Sequence, residues 1–505
     1  MVTRPAIFAT LVGLGATAIG LGGLREAAAQ DDVKTLERDL ASNNFDVVRP
    51  AADRLLGLGS LEATQALARG LALDMPYSTF TRDYIHEKWQ AKPADDSLAW
   101  ILNQGLADKV ARVRRTFVEL LARWKATEAV KYLLVLLGRD ADAGVRAEAA
   151  WSLAALGAAE AVEPLARKLG TSDWWEKVSC LEALAVLSWE KARPLVEKAL
   201  SDRVPYVHNC ALLLLRDKDP AACLPKAIEA TKDPAWQVKA AAMATLADLK
   251  EKESVQPLID ALGRESARLK HDAWMALRRL SGMAIPDNAE MWQGWWNTNK
   301  DTFDPQAVAA PGGDGGADGG GGGGDGNTQI TYHGIVVYSN RVCFSLDCSG
   351  SMADDVGGGR TKLKLAQDEL TKTLRQFGTG RYFNVIFFPT AIQPWKPRLQ
   401  AASPQTLSEA IRFIESRTAT TRGNMYDAFV AVMDDPTVDT IFTLSDGRPS
   451  AGEVQFADRF MALFLRRNRY QRLEVHTILV GQGRMDREFM EKLAGETGGQ
   501  HAHPQ

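Results

Sequence analysis

From Asp31 to about Phe303 apolar residues return with the 3.6-residue period of amphipathic helices, and the pattern itself recurs at a nearly constant spacing. The clearest anchors are Val113-Arg114, Val145-Arg146, Val178, Val207, Val238-Lys239 and Leu269-Lys270, separated by 32, 33, 29, 31 and 31 positions. That spacing accommodates two short helices per unit. Each anchor opens an Ala/Leu-rich helix, as in the segment from Val145 to Leu153, and a second helix follows, as from Ala161 to Leu169. Pro164 and Pro257 fall at matching places in the second helix, where a first-turn proline removes an N–H that would have no partner. Asp140, Asp142, Asp202 and Asp233 stand before first helices and suit helix N-termini. The segment from Asp31 to Gln104 follows the pattern loosely and carries an insertion around Met75 to Asp96, while Trp292, Trp295 and Trp296 are placed to cover the open end of the last unit.

Past residue 328 the pattern changes to short β-branched and aromatic runs alternating with amphipathic stretches, which predicts an α/β unit with a mostly parallel sheet. Strands are expected at Arg341 to Asp347, Arg381 to Phe388, Val438 to Leu444 and Leu473 to Val480, with Ile330 to Tyr338 adding a strand or hairpin at the edge. Helices are expected near Lys362 to Phe377, Thr406 to Glu415, Met425 to Met433, Ala457 to Arg466 and Arg487 to Thr497. Between the halves, Gly312 to Gly326 holds eleven glycines and three aspartates and cannot form a core. Reading 304–328 as a flexible linker predicts that the two halves move independently unless a ligand joins them. Neither this tract nor the run Gly357 to Lys362 has the spacing of a phosphate-binding loop.

The repeat pattern resembles HEAT repeats, most clearly from Lys109 to Trp296, so the expected architecture is multidomain, an all-α HEAT-like solenoid over 31–303 followed by an α/β doubly wound unit over 329–505. A length of 505 residues agrees with more than one core. Helix pairs bury their apolar faces only by stacking, and the stack offers an extended concave surface. The resemblance implies that partners bind there; a rigid spacer is the alternative.

A formal charge of −3 with 24% charged residues argues against nucleic acid or an anionic membrane as the main partner. Five cysteines make no disulfide framework; buried thiols are expected at Cys180, Cys210, Cys223 and Cys343, with a Cys180–Cys210 bridge as the alternative. Arg4, the apolar run Ala6 to Leu24 and the small residues Ala27-Ala28-Ala29 read as a signal peptide over 1–29, or alternatively as an uncleaved anchor. The first reading predicts an exported chain, in the periplasm, the envelope or the medium, without a membrane span once the leader is removed.

The chemistry concentrates at two loops. Asp347-Cys348-Ser349-Gly350-Ser351 follows the apolar run Val342 to Leu346, and Ser445-Asp446-Gly447 follows Val438 to Leu444. In such sheets ligands bind beyond the carboxyl ends of the strands. One carboxylate and two hydroxyls within five residues, with a second carboxylate nearby, form a hard-oxygen donor set suited to Mg²⁺ with retained waters. Gly350 is expected to permit the turn. These motifs resemble the metal-ion-dependent adhesion site of von Willebrand factor A domains, and the resemblance covers Ile330 to Gln505.

The resemblance implies a metal site at Asp347, Ser349, Ser351 and Asp446 that holds Mg²⁺, with Mn²⁺ or Ca²⁺ as substitutes. An open coordination position would receive a carboxylate from a protein partner. The family's further threonine ligand aligns with Gly423 when the stretch is matched on Asn424 and Tyr426; Thr421 is the candidate to replace it, or a water. Asp427 is read as a helix-surface residue, Asp354 and Asp355 as solvated residues or extensions of the site, and His501 and His503 as surface positions on a last strand. Cys348 has no assigned role. The function expected is non-enzymatic, cation-dependent protein binding, with a structural or assembly subunit bearing a vestigial site as the alternative and a metal-dependent hydrolase behind it. No GxSxG, HExxH or CxxC motif occurs.

Overall fold

The computed structural model describes residues 32–74, 78–308 and 329–504. The segment 1–29 expected to be a leader and positions 309–328 of the expected linker lie outside them. The helical half is a stack of pairs in which a first helix, such as Ala143–Ala155 or Trp174–Leu187, is followed by a second, such as Val162–Lys168 or Trp189–Ala199. The anchor valines 113, 145, 178, 207 and 238 are buried, each at 1% exposure or less.

The basic residue beside an anchor reaches an acidic residue of the following unit. Arg114 pairs with Asp140 at 2.6 Å, Arg146 with Glu176 at 2.9 Å, Lys177 with Asp202 at 2.8 Å and Lys239 with Glu265 at 2.9 Å. This ladder sets the register of the stack and explains why the Val-Arg pattern recurs. Asp142 caps its helix by accepting from Val145 N–H, whereas Asp140, Asp202 and Asp233 each accept from the N–H two residues on and so shape the turn ahead of the helix. Trp292 is fully buried in the final helix, Ala289–Asn299, as expected of a terminal cap. All five cysteines are buried free thiols, Cys180 and Cys210 included. Residues 304–308 belong to this half and not to the linker: Pro305 is buried, and Lys250 is joined to Val308 and Gln306 by hydrogen bonds.

In the second half, β1 (Thr331–Tyr332) and β2 (Ile335–Val336) form a separate ribbon and do not extend the sheet edge. Tyr332 is instead driven into the core, against Phe344 and Phe442. The main sheet contains β3 (Arg341–Leu346), β4 (Tyr382–Phe387), β5 (Gln393–Pro394), β6 (Gln400–Ala401), β7 (Thr440–Ser445), β8 (Glu474–Leu479) and β9 (His501–Ala502). Its order is β5-β4-β3-β7-β8-β9, with β6 also on β4. Strands β3, β4, β7, β8 and β9 are parallel, and β5 and β6 run antiparallel to β4.

Side chains alternate between two cores. Phe344 and Leu346 meet the helices Lys362–Leu374 and Pro404–Glu415, whereas Cys343, Ile441 and Val475 meet Met425–Met433, Ala457–Gln471 and Arg484–Thr497. The central strands are buried along nearly their whole length because both faces are covered, buried polar residues such as Thr443 and Thr477 included.

The expected independence of the two halves is contradicted. The α/β unit is seated on the face made by Ser78–Lys88 and the successive first helices, and the seam is polar and extensive. Asp83 accepts from the Gln455 backbone N–H at 2.7 Å, Arg466 pairs with Glu148 at 3.2 Å and stacks on Trp151, and Glu182 holds Arg469 and the Tyr470 hydroxyl. Further along, Asn209 donates to Tyr470 O at 2.7 Å, Gln237 to Pro436 O at 2.8 Å and Arg268 to Asp439 O at 2.8 Å. A glycine tract determines how far two units can separate, not how strongly their surfaces attract. This face of the solenoid is therefore covered by the chain's own second half.

Candidate functional site

Strands β3 and β7 are parallel neighbours in register, Leu346 opposite Leu444, so the loops that leave their carboxyl ends start side by side. Asp347 N–H donates to Leu444 O at 2.8 Å and fixes the first residue of one loop to the penultimate residue of the other strand. Asp347 is 4% exposed. One carboxylate oxygen accepts from Ser349 N–H at 2.7 Å and the other from the Ser445 hydroxyl at 2.5 Å. Burial raises its pKa above the ordinary carboxylate value against these hydrogen bonds, and the nearby charge of Asp446 adds to the rise.

From there the donors form a chain. Ser349 Oγ lies 3.2 Å from Ser351 Oγ, which donates to Asp446 Oδ1 at 3.0 Å. The structure thus brings Asp347, Ser349, Ser351 and Asp446 together. Among the described residues no lysine or arginine pairs with Asp347, so a buried carboxylate stands beside a second carboxylate without its own counter-charge. This donor set fits a hard divalent cation, which would neutralise both acids and accept the two hydroxyl oxygens. Among the described residues no three His, Cys, Asp or Glu side chains gather in a way that could hold a metal ion, so the acidic donors here are two carboxylates and the other donors are hydroxyls.

Gly350 is needed for a reason other than the expected turn. Its φ is not positive, but a Cβ there would lie 3.1 Å from Thr420 O, so the glycine lets the loop of residues 417–424 approach. Gly350 N–H donates to Thr421 O, and Thr420 N–H to Cys348 O. This arrangement turns the Thr421 hydroxyl to Thr390, 2.8 Å away, and not into the donor chain. Position 423 does face the site: a Cβ on Gly423 would sit 3.3 Å from Asp347 Oδ1.

Lys362 was not expected here. Thr361 caps the helix Lys362–Leu374, placing Lys362 in its first turn, where the ammonium bridges Asp446 Oδ2 and Asp354 Oδ2, each at 2.9 Å. Burial opposes its charge, but the two carboxylates outweigh it and hold its pKa above the usual lysine value. Only the position of Lys362 at the start of a helix that follows the motif loop hinted at the contact. Ser445, directly before Asp446, carried no separate signal.

The remaining candidates have structural partners. Asp355 Oδ1 accepts from the N–H groups of Gly357 and Arg360 and closes the glycine-rich loop. Asp427 accepts from Asn424 Nδ2 and Glu453 N–H. Cys348 is buried, with its thiol pushed up to about 12 by burial. His501 meets Thr477 Oγ1 and His503 meets Gly481 O; both are partly exposed.

Comparison with known proteins agrees with this architecture. Residues 98–185 match the family model of HEAT repeats, and residues 340–502 match that of the von Willebrand factor type A domain. Von Willebrand factor A domain-containing protein 3A of Homo sapiens is 26% identical over 169 residues, 33% of this chain and 14% of that protein. Inter-alpha-trypsin inhibitor heavy chain H4 of Homo sapiens is 30% identical over 133 residues, 24% of this chain and again 14% of that protein. The chain therefore spans about a seventh of these relatives. Among solved structures, a von Willebrand factor type A protein from Catenulispora acidiphila aligns at 18% identity with a TM-score of 0.28, covering 34% of this chain and 40% of that one. The complex of CpcE and CpcF of phycocyanin lyase from Nostoc sp. PCC7120 aligns at 16% identity with a TM-score of 0.25, covering 58% and 99%.

Proposed function

We propose that this chain, a HEAT-repeat stack carrying a von Willebrand factor type A domain, is an exported, non-enzymatic binding protein that engages a protein partner through a divalent cation held by Asp347, Ser349, Ser351 and Asp446. The observation that carries this reading is buried Asp347, 4% exposed and without a basic partner among the described residues, in one donor chain with two hydroxyls and Asp446. A bound Mg²⁺, or Mn²⁺ or Ca²⁺ in its place, supplies the charge that attracts an acidic side chain of the partner. With Gly423 in place of a threonine, one coordination position passes to water or to that partner, so the cation is held weakly and exchanges. Export rests on the leader-like sequence over 1–29; among the described residues no helix is long and apolar enough to cross a membrane.

Purification of the tagged full chain from its own cells in Mg²⁺ or in EDTA tests the function. A partner is expected to be retained with Mg²⁺ and lost both in EDTA and in Asp446→Ala. Retention that ignores EDTA and the substitution would favour the structural-subunit alternative.

Lys362 makes a second prediction. Its ammonium occupies an oxygen of Asp446 and repels a divalent cation, so Lys362→Met should tighten Mg²⁺ binding by about tenfold. Unchanged or weaker binding by calorimetry would show that the ammonium does not compete.

A further inference from the structure

Both loops that flank the candidate cation site end on one corner of the solenoid. The segment leaving β7 begins at Asp446 and meets the solenoid first at Glu453, which pairs with Arg82 at 3.5 Å and Arg115 at 3.6 Å, and then at Gln455 and Phe456. On the way, Ser450 and Ala451 N–H donate to Gly423 O at 2.9 and 3.0 Å, and Ser450 Oγ accepts from Gly423 N–H at 2.9 Å. At its far end Gln455 and Phe456 N–H donate to Asp83 Oδ2 at 2.7 and 3.4 Å, and Phe456 stacks on Phe80 with ring centroids 5.7 Å apart. Phe80 stacks in turn on Phe45, and the Phe45 ring lies under the guanidinium of Arg422, from the loop that holds Gly350. Asp83 is 3% exposed and belongs to the helix Ser78–Lys88, within the insertion that interrupts the repeat pattern. The rest of the seam, from Glu148 to Arg268, touches neither loop through the contacts described above.

We propose that Asp83 is a positioning residue for the cation site: by holding the far end of the 446–456 segment it fixes Asp446 and Gly423 against Asp347, so that cation binding and docking of the solenoid favour each other. The proposal rests on the cation-binding reading given above. An isolated α/β unit would have to leave the N–H groups of Gln455 and Phe456 without this acceptor, and the segment would lose its fixed end. Because linkage is reciprocal, whatever docking adds to cation affinity the cation must return to docking.

Calorimetric titration of the full chain with MgCl₂ tests this, using Asp83→Ala, Arg422→Ala and Asn209→Ala. Asn209 lies in the same seam but contacts Tyr470 O, remote from both loops in sequence. Asp83→Ala is expected to weaken Mg²⁺ binding at least fivefold and Arg422→Ala in the same direction, with Asn209→Ala within twofold of the wild type. Hydrogen exchange provides the reciprocal readout: Mg²⁺ should slow exchange across 78–88 in the wild type and not in Asp83→Ala. Equal affinities for Asp83→Ala and wild type, or an equal loss in Asn209→Ala, overturn the positioning role and leave the cation site standing. A wild-type chain that binds no Mg²⁺ overturns both. Should Asp83→Ala not fold, Arg422→Ala with the exchange measurement decides alone.

Discussion

Replacing Arg268 by alanine should lower the stability of the docked chain by about 3–5 kcal/mol at neutral pH, because it removes one partner from a buried charge cluster. Arg268 is 6% exposed and reaches from the solenoid into the α/β unit, with Nε 2.7 Å from Asp272 and 3.0 Å from Glu474 and a third bond to Asp439 O. Burial works against its charge, but Asp272, Glu474 and Asp439 more than offset that and raise its pKa. Without it, Glu474 and Asp439, 3% and 7% exposed, remain buried beside Asp272 without their cation.

The pH dependence has a definite sign. Burial raises the folded-state pKa of both Glu474 and Asp439 above the unfolded values, Asp439 to about 6. Each acid therefore costs stability above its folded pKa and ceases to do so once pH falls below the unfolded value. The penalty in Arg268→Ala should accordingly be smaller at pH 4.5 than at pH 7.5. Urea melts at the two pH values, followed by a probe in each unit, measure it; the variant should also separate into two transitions where the wild type shows one. A loss under about 1 kcal/mol at pH 7.5 would mean that the seam contributes little to holding the halves together.

Much of the fold was legible because its period and burial agree. The strands around Phe344 and Phe442 are buried almost throughout since helices cover both faces, and the recurring Val-Arg anchors mark a buried valine beside an inter-unit ion pair. Asp347, Ser349, Ser351 and Asp446 were legible as a motif, and position 423 faces Asp347 as its alignment with the family threonine requires. The domain seam was not. Glu148, Glu182, Arg466 and Arg469 sit on amphipathic helices where charged residues ordinarily face water, and nothing local shows that the two charged faces meet. Lys362 escaped for a related reason: its contact with Asp446 joins positions 84 residues apart. The Thr421 hydroxyl, a candidate ligand by alignment, here faces Thr390 while its backbone is tied to Gly350, a constraint no spacing reveals.

The largest effect on binding is expected at Asp347. Its carboxylate is the most enclosed of the two acids in the donor chain and is fixed by Ser349 N–H and Ser445 Oγ, so the asparagine variant keeps the shape and removes the charge. A divalent cation in a partly buried site loses an attraction of several kcal/mol when one adjoining carboxylate becomes neutral, which corresponds to a decrease in affinity of at least about a hundredfold.

Isothermal titration of the full chain with MgCl₂, wild type against Asp347→Asn, measures this directly. The wild type should show saturable one-site binding and the variant no resolvable heat over the same range. Absence of binding to the wild type at millimolar Mg²⁺, or equal binding by both proteins, would contradict the account.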